Sequence, residues 1–314
     1  MTPLFIVGAP RSGTTVTRTL MQGFAPVYLP PDEFQVLPRF VADVESGASP
    51  ETLARFLEGT VFAGHMRRRG IWPDRTTLLE ALTTGEASSS FQALVLAIAA
   101  KEGRSDIAYW GDKTPETVFH LALLNRIWPN ARVLHVVRDP RSTVLSMSRA
   151  WGRSLSRGAV IWRDTQRAAS QFESYHPELY LRLHFEALTT DPSTEMDRVG
   201  AWLGLHFDHA MLDKVSSEER WGKASGRVGV QKRPEEWDGA LSAAQICQIE
   251  AISFAEMTAA GYSPRYAESV VEPGALSLKM ARLGDAARVV RAYAHERGWR
   301  AALSYKINQW RIRS

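Results

Sequence analysis

The segment Gly8-Ala-Pro-Arg-Ser-Gly-Thr-Thr15 carries the first chemistry legible in this chain. Two glycines five residues apart, set between an apolar run and a helical pattern, have the spacing of a phosphate-binding loop. In such a loop backbone N–H groups and a helix N-terminus surround anionic oxygens. One position departs from a nucleoside-triphosphate site: Thr14 stands where a lysine would reach the β- and γ-phosphates, and Arg11 inside the loop is the available cation. A second departure lies at the apolar run 133–137, which ends in Arg138-Asp139-Pro140 and not in an acid suited to magnesium. Asp139 reads as the N-cap of a helix opening at Pro140. A guanidinium at that strand end points to a second phosphate.

Together with Val136-Val-Arg-Asp-Pro-Arg-Ser-Thr-Val-Leu-Ser146, the first loop resembles the two donor-binding motifs of sulfotransferases that use 3′-phosphoadenosine 5′-phosphosulfate (PAPS). The resemblance runs from about residue 3 to 262 and is strongest to the branch of tyrosylprotein and bacterial carbohydrate or small-molecule sulfotransferases. It implies that Pro10, Arg11, Ser12, Gly13, Thr14 and Thr15 hold the 5′-phosphosulfate. It also implies that Arg138 and Ser146, eight residues apart, grip the 3′-phosphate. Lys113, in Trp110-Gly-Asp-Lys-Thr-Pro115, matches the family lysine that stabilises the leaving bridging oxygen. Glu33, in Leu29-Pro-Pro-Asp-Glu-Phe-Gln-Val-Leu-Pro38, matches the glutamate that takes the acceptor's proton. Its neighbour Asp32 forms, with Gln35 three residues on, a capping-box pattern. Arg227, near Lys232, Arg233 and Trp237, falls where the family folds a loop over the 3′-phosphate.

The chemistry of sulfuryl transfer agrees with this set. It requires cations on the leaving phosphate and on the sulfonate oxygens, and a base for the hydroxyl proton. A sulfonate carries less charge than a terminal phosphate, so Arg11 and Lys113 replace a metal, and none is expected. Two substitutions depart from the family: Phe185 stands where many relatives have tyrosine, and Gln35 replaces an arginine used by tyrosylprotein enzymes on acidic peptides. The second substitution counts against a tyrosylprotein acceptor; the acceptor is expected to be a hydroxyl of a carbohydrate, lipid, natural product or tyrosine. His65, ahead of Arg67, Arg68 and Arg69, is an alternative base. Trp72, Trp151 and Trp162 are candidate aromatic walls or core residues. His206 and His209 have no carboxylate partner at helical spacing, so they carry no metal site.

These residues need a frame. Strand-like runs at 4–7, 27–29, 107–110, 133–137 and 180–185 alternate with helical stretches, which predicts a three-layer α/β fold with a mostly parallel sheet covered by helices. Ligands of such sheets sit beyond the carboxyl ends of the strands. The body is expected to close with a helix from Ser242 to Ala260. The division predicted is a sulfotransferase domain at 1–262, a linker at 263–274 and a basic helical tail at 275–314.

The chain has 314 residues, 45% hydrophobic and 23% charged, with 22 glycines and 16 prolines, a composition that excludes disordered and collagen-like classes. One cysteine, Cys247, excludes an internal disulfide. The apolar run 93–100 is shorter than the roughly 20 residues a membrane span takes. With no basic n-region ahead of Leu4, a cytoplasmic location is expected. Net charge is +4, but residues 274–314 hold nine Lys/Arg against two Asp/Glu, leaving −3 for the rest. In that tail Leu276, Met280, Leu283, Ala287, Val290 and Ala294 share one helix face and Arg282, Arg288, Arg291 and Arg297 lie off it. The face is expected to pack on the body or on a second subunit as a homodimer. Peripheral contact with an anionic membrane, aided by Trp299 and Trp310, is the alternative. No nucleic acid is expected. Two other functions compete: a P-loop kinase using Mg-ATP, which would need the missing lysine and acid, and a non-catalytic membrane- or nucleic-acid-binding module, in which Lys113 and Glu33 would be idle.

Overall fold

The structure, a computed structural model, describes residues 1–214 and 237–297. Strand β1 (Thr2–Gly8) enters the glycine loop, and helix α1 (Thr14–Leu20) leaves it. Strand β2 (Val27–Tyr28) is followed by a helical insertion, α2 (Leu37–Glu45), α3 (Pro50–Glu58), α4 (Val61–Arg68), α5 (Arg75–Leu82) and α6 (Ala87–Lys101). Strand β3 (Tyr109–Lys113), a 3₁₀ turn at Pro115–His120 and α7 (Leu121–Ile127) lead to β4 (Arg132–Val137). Then come α8 (Pro140–Trp151), α9 (Leu155–Tyr175), β5 (Tyr180–His184), α10 (Phe185–Thr190), α11 (Pro192–Leu203) and α12 (Met211–Lys214). The remaining described helices are α13 (Trp237–Ala240), α14 (Ala243–Ala259) and α15 (Ala275–Arg297).

Among the described residues the sheet has five strands in the order β2-β3-β1-β4-β5, every neighbouring pair parallel. Its central strand reads Leu-Phe-Ile-Val because both of its faces are covered. Phe5 and Val7 face a core with Phe91, Trp110 and Trp128. Leu4 and Ile6 face another with Leu20, Phe24 and Val199. The period of two divides β1 between the layers. The register sets Ile6 beside Lys113 and Gly8 beside Val136, so the strand ends bearing the candidate residues are level.

β3 runs three residues beyond the expected 107–110, through Gly111, Asp112 and Lys113. Gly111 lies against the Leu4 backbone, where a Cβ would collide, and Asp112 and Lys113 continue the buried strand by pairing with Phe5 and Ile6. The predicted cap at Asp139 forms, its carboxylate accepting from the Arg141 and Ser142 amides. The Asp32–Gln35 capping box does not form: α2 opens five residues later, and Asp32 accepts from the Glu33 amide and pairs with His65. Ser242 and Gln245 make the capping box that opens α14.

Within residues 263–274, read as a linker, positions 265–267 and 271 are pinned to α14. Glu250 accepts from the amides of Arg265, Tyr266 and Ala267, and Val271 donates to the Ala251 carbonyl. No helix among the described residues is long and apolar enough to cross a membrane.

Candidate active site

The glycine loop closes over the carboxyl ends of β1 and β4. Gly8 and Gly13 both have positive φ, and Arg11 is the non-glycine residue held there among those described, at φ 74°. A turn that puts a bulky residue in the left-handed region stores strain, a feature that concentrates at ligand sites. Gly13 is required for a second reason. A Cβ at that position would lie inside the ring of Phe185, which fills the space beneath the loop. Ser12 is buried, and its hydroxyl has no partner. α1 opens at Gly13 without a side-chain cap, leaving its first amides to the loop interior.

Arg11 extends over α8, where its Nε donates to the Ser146 hydroxyl at 3.2 Å and its guanidinium faces the Trp151 ring at 5.9 Å. Arg138 donates to the Arg11 carbonyl at 3.4 Å and stacks on Phe185, 4.6 Å from the ring centroid. The Trp162 indole holds the Arg138 carbonyl at 2.8 Å. Glu186 accepts from the Asp139 amide and from the Tyr262 hydroxyl, tying β4 to α10 and the end of α14. Burial, followed by the Glu186 charge, pushes the Tyr262 hydroxyl far above its ordinary pKa, so Tyr262 remains a donor.

On the other side of the loop, Lys113 is 4% exposed and reaches two elements at once. Its Nζ donates to the Thr15 hydroxyl at 3.3 Å and pairs with Glu33 Oε1 at 2.5 Å. Glu33 Oε2 accepts from Gln35 Nε2 at 3.0 Å. The segment carrying Glu33 is fixed from two directions. Asp112 accepts from the Phe34 amide at 3.1 Å, and His65 of α4 pairs with Asp32. Burial pushes the Asp112 carboxyl up to about 6, against its hydrogen bonds and the nearby Lys113 charge.

Pro10, Arg11, Ser12, Gly13, Thr14, Thr15, Arg138, Ser146, Lys113 and Glu33 thus meet at one end of the sheet, while Arg227 lies outside the described residues. His206 and His209 lie far from this cluster in the chain and pack on each other; His209 also meets the Phe207 ring and pairs with Asp197, a carboxylate that spacing did not reveal. Among the described residues no group of three or more His, Cys, Asp or Glu is placed to hold a metal. Several contributors escaped sequence reasoning: Phe185 as platform for Arg138, Trp151 against Arg11, Asp112 as anchor of the Glu33 segment, and Glu186. Asp112 had a signal, being an acid within a strand otherwise buried. Phe185 was marked only by the resemblance, and its packing role was hidden because it depends on a glycine 172 residues away.

Comparison with known proteins bears on this arrangement. The profile of the Sulfotransferase family matches residues 3–209, which include both sides of the cluster. The chain belongs to the sulfotransferase family. Among its relatives, protein-tyrosine sulfotransferase 2 of Gallus gallus is 26% identical over 232 residues, 71% of this chain and 56% of that protein. Protein-tyrosine sulfotransferase 1 of Danio rerio is 29% identical over 238 residues, 71% of this chain and 58% of that protein. The chain therefore spans a little over half the length of these curated relatives. Two solved sulfotransferase domains share the fold. That of the Synechococcus PCC 7002 olefin synthase has a TM-score of 0.57 at 22% identity, covering 83% of this chain and 95% of its own. That of the curacin biosynthetic pathway has a TM-score of 0.58 at 17% identity, covering 83% and 98%.

Proposed function

We propose that this family member transfers a sulfuryl group from PAPS to a hydroxyl of an acceptor. The observation that carries the reading is the position of Lys113 between Thr15 of the glycine loop and Glu33 of the opposite segment. One cation is thereby shared between the place for a donor phosphate and a carboxylate able to take a proton.

In this reading Pro10 to Thr15 surround the 5′-phosphosulfate, with the loop amides and the unpartnered Ser12 hydroxyl as donors. Arg138 and Ser146 hold the 3′-phosphate, joined by Arg227. Arg11 bridges the two subsites, being bonded to Ser146 and Arg138 already. Glu33 takes the proton of the acceptor hydroxyl as its oxygen forms a bond to sulfur. The bond from sulfur to the bridging oxygen breaks, and Lys113 stabilises the charge left on the 5′-phosphate. The products are a sulfate ester and adenosine 3′,5′-bisphosphate. Lys113 must exchange Glu33 for the donor during this cycle, which frees the Glu33 carboxylate for the arriving hydroxyl.

The acceptor is a hydroxyl beside Glu33, and tyrosine, the residue in the relatives' names, is one member of that class. Arg11 and Lys113 supply the positive charge, so turnover is expected to persist with a metal chelator present. Calorimetric titration with adenosine 3′,5′-bisphosphate and, separately, with Mg-ATP tests the donor class. Binding of the bisphosphate alone supports the reading, and preference for Mg-ATP overturns it in favour of a kinase.

A further inference from the structure

Helix α15 sits on the body by its polar side. Asp285, 2% exposed, accepts from the Ser154 amide and from Arg157, each at 3.0 Å, and thereby occupies the N-terminus of α9. Arg288 donates to the Gly152 carbonyl at 2.6 Å and pairs with Asp285. At about 100° per residue, Leu278, Ala281, Asp285 and Arg288 share one side of the helix. Leu278 and Ala281 are half-buried. Leu276, Met280, Leu283 and Ala287 fall on the opposite side. Leu276 is 74% exposed, Met280 61% and Leu283 60%. The apolar face, expected from sequence to pack on the body or a second subunit or else on an anionic membrane, therefore points away from the body.

We propose that this outward face docks on an anionic phospholipid bilayer, the helix lying in the plane of the interface. Three observations select that occupant. First, the acid within residues 275–288 is Asp285, and it is turned into the body against Arg157, so the exposed charges of that stretch are cationic: Lys279, Arg282 and Arg288. Lys279 and Arg282 stand between the two faces, where they meet headgroups when the apolar stripe enters the acyl boundary. Second, a second copy would bring together the two most basic regions of the molecule, since residues 274–314 carry a net +7. Third, the stripe offers three large apolar side chains and an alanine, whereas a stable protein interface takes about 20–30 residues a side. A shallow lipid insertion needs no more than such a stripe. The Asp285 anchor holds α15 on the body, so the face stays presented to the membrane.

Flotation of the full chain with vesicles tests this independently of the transfer reaction. The probes are phosphatidylcholine alone and an equal mixture of phosphatidylcholine with phosphatidylglycerol. The expected result is binding about ten-fold or more stronger to the anionic vesicles, weakening as salt rises from about 0.1 M to 0.5 M. Met280→Asp with Leu283→Asp, and separately Lys279→Glu with Arg282→Glu, should each abolish it. Affinity for adenosine 3′,5′-bisphosphate should stay unchanged in both, which also shows that the variants fold. Equal binding to both vesicle types, no binding to either, or full binding by the variants overturns the proposal. So does a concentration-dependent dimer in sedimentation equilibrium that Met280→Asp with Leu283→Asp dissolves, because a second copy would then be the occupant. Failure of bisphosphate binding by the unaltered chain would count against the donor assignment alone.

Discussion

Two cation–carboxylate clusters stand at the carboxyl ends of neighbouring parts of the sheet, and they are built in opposite ways. Beyond β4, Arg141 lies between Asp139 and Glu250 with all three side chains buried, and its guanidinium stacks 4.0 Å from the Trp237 ring. Glu250 accepts from three backbone amides besides Arg141. Burial opposes its charge, yet those amides and Arg141 hold the carboxyl below its ordinary pKa. Beyond β3, Lys113 meets Glu33 with one further side-chain partner each, and the Glu33 side chain is 24% exposed. The first cluster is saturated and closed. The second has donors and acceptors to spare and is partly open to solvent, and such spare capacity separates a group able to serve substrate from one serving the fold.

Substitutions can break this contrast. The largest effect is expected from Glu250→Ala, which takes one of two carboxylate partners from Arg141 and the acceptor from three amides and should cost about 3–5 kcal/mol in urea denaturation. Enzyme that remains folded should turn over near the normal rate. Lys113→Ala and Glu33→Ala should do the reverse, lowering turnover by about 10² or more while adenosine 3′,5′-bisphosphate still binds. Full activity in Glu33→Ala would pass the base role to the Asp32–His65 pair. Arg138→Ala should weaken adenosine 3′,5′-bisphosphate about ten-fold in calorimetry, through the lost charge-assisted contact; unchanged affinity would remove Arg138 from the donor site.

The smallest expected effect concerns pH. Asp112 has a folded-state pKa raised from 3.8 to about 6, so the folded chain binds its proton more tightly than the unfolded chain does. Its contribution to stability is therefore greatest at acid pH and declines as pH rises from about 4 to 6. Asp112→Asn keeps a carbonyl oxygen for the Phe34 amide and should remove that slope. Denaturation midpoints at several pH values would show whether the slope survives, in which case another group produces it.

Much of the donor side was legible because its signals are local. The glycine spacing, the apolar strand before it and the Asp139-Pro140 cap each depend on residues within a few positions of one another. The acceptor side was legible only through resemblance. Glu33 was matched by its distance from Pro38, while the capping box assigned to Asp32 and Gln35 gave way to one long-range contact and one local one. Asp32 turns to His65, and Gln35 turns to the Glu33 carboxylate. An exposed capping box is worth about 1 kcal/mol, which tertiary contacts readily exceed.

The sequence by itself determined that strands and helices alternate, that a glycine turn joins β1 to α1 and that α15 has two unlike faces, because these follow from backbone geometry and residue spacing. Only the tertiary structure decided that Lys113 joins Thr15 to Glu33, that Phe185 lies under Gly13, and which face of α15 turns inward. Periodicity states that two faces differ but not which one finds a partner. Here Arg157 and the Ser154 amide offered a buried acid its hydrogen bonds, and the apolar face was left to the outside.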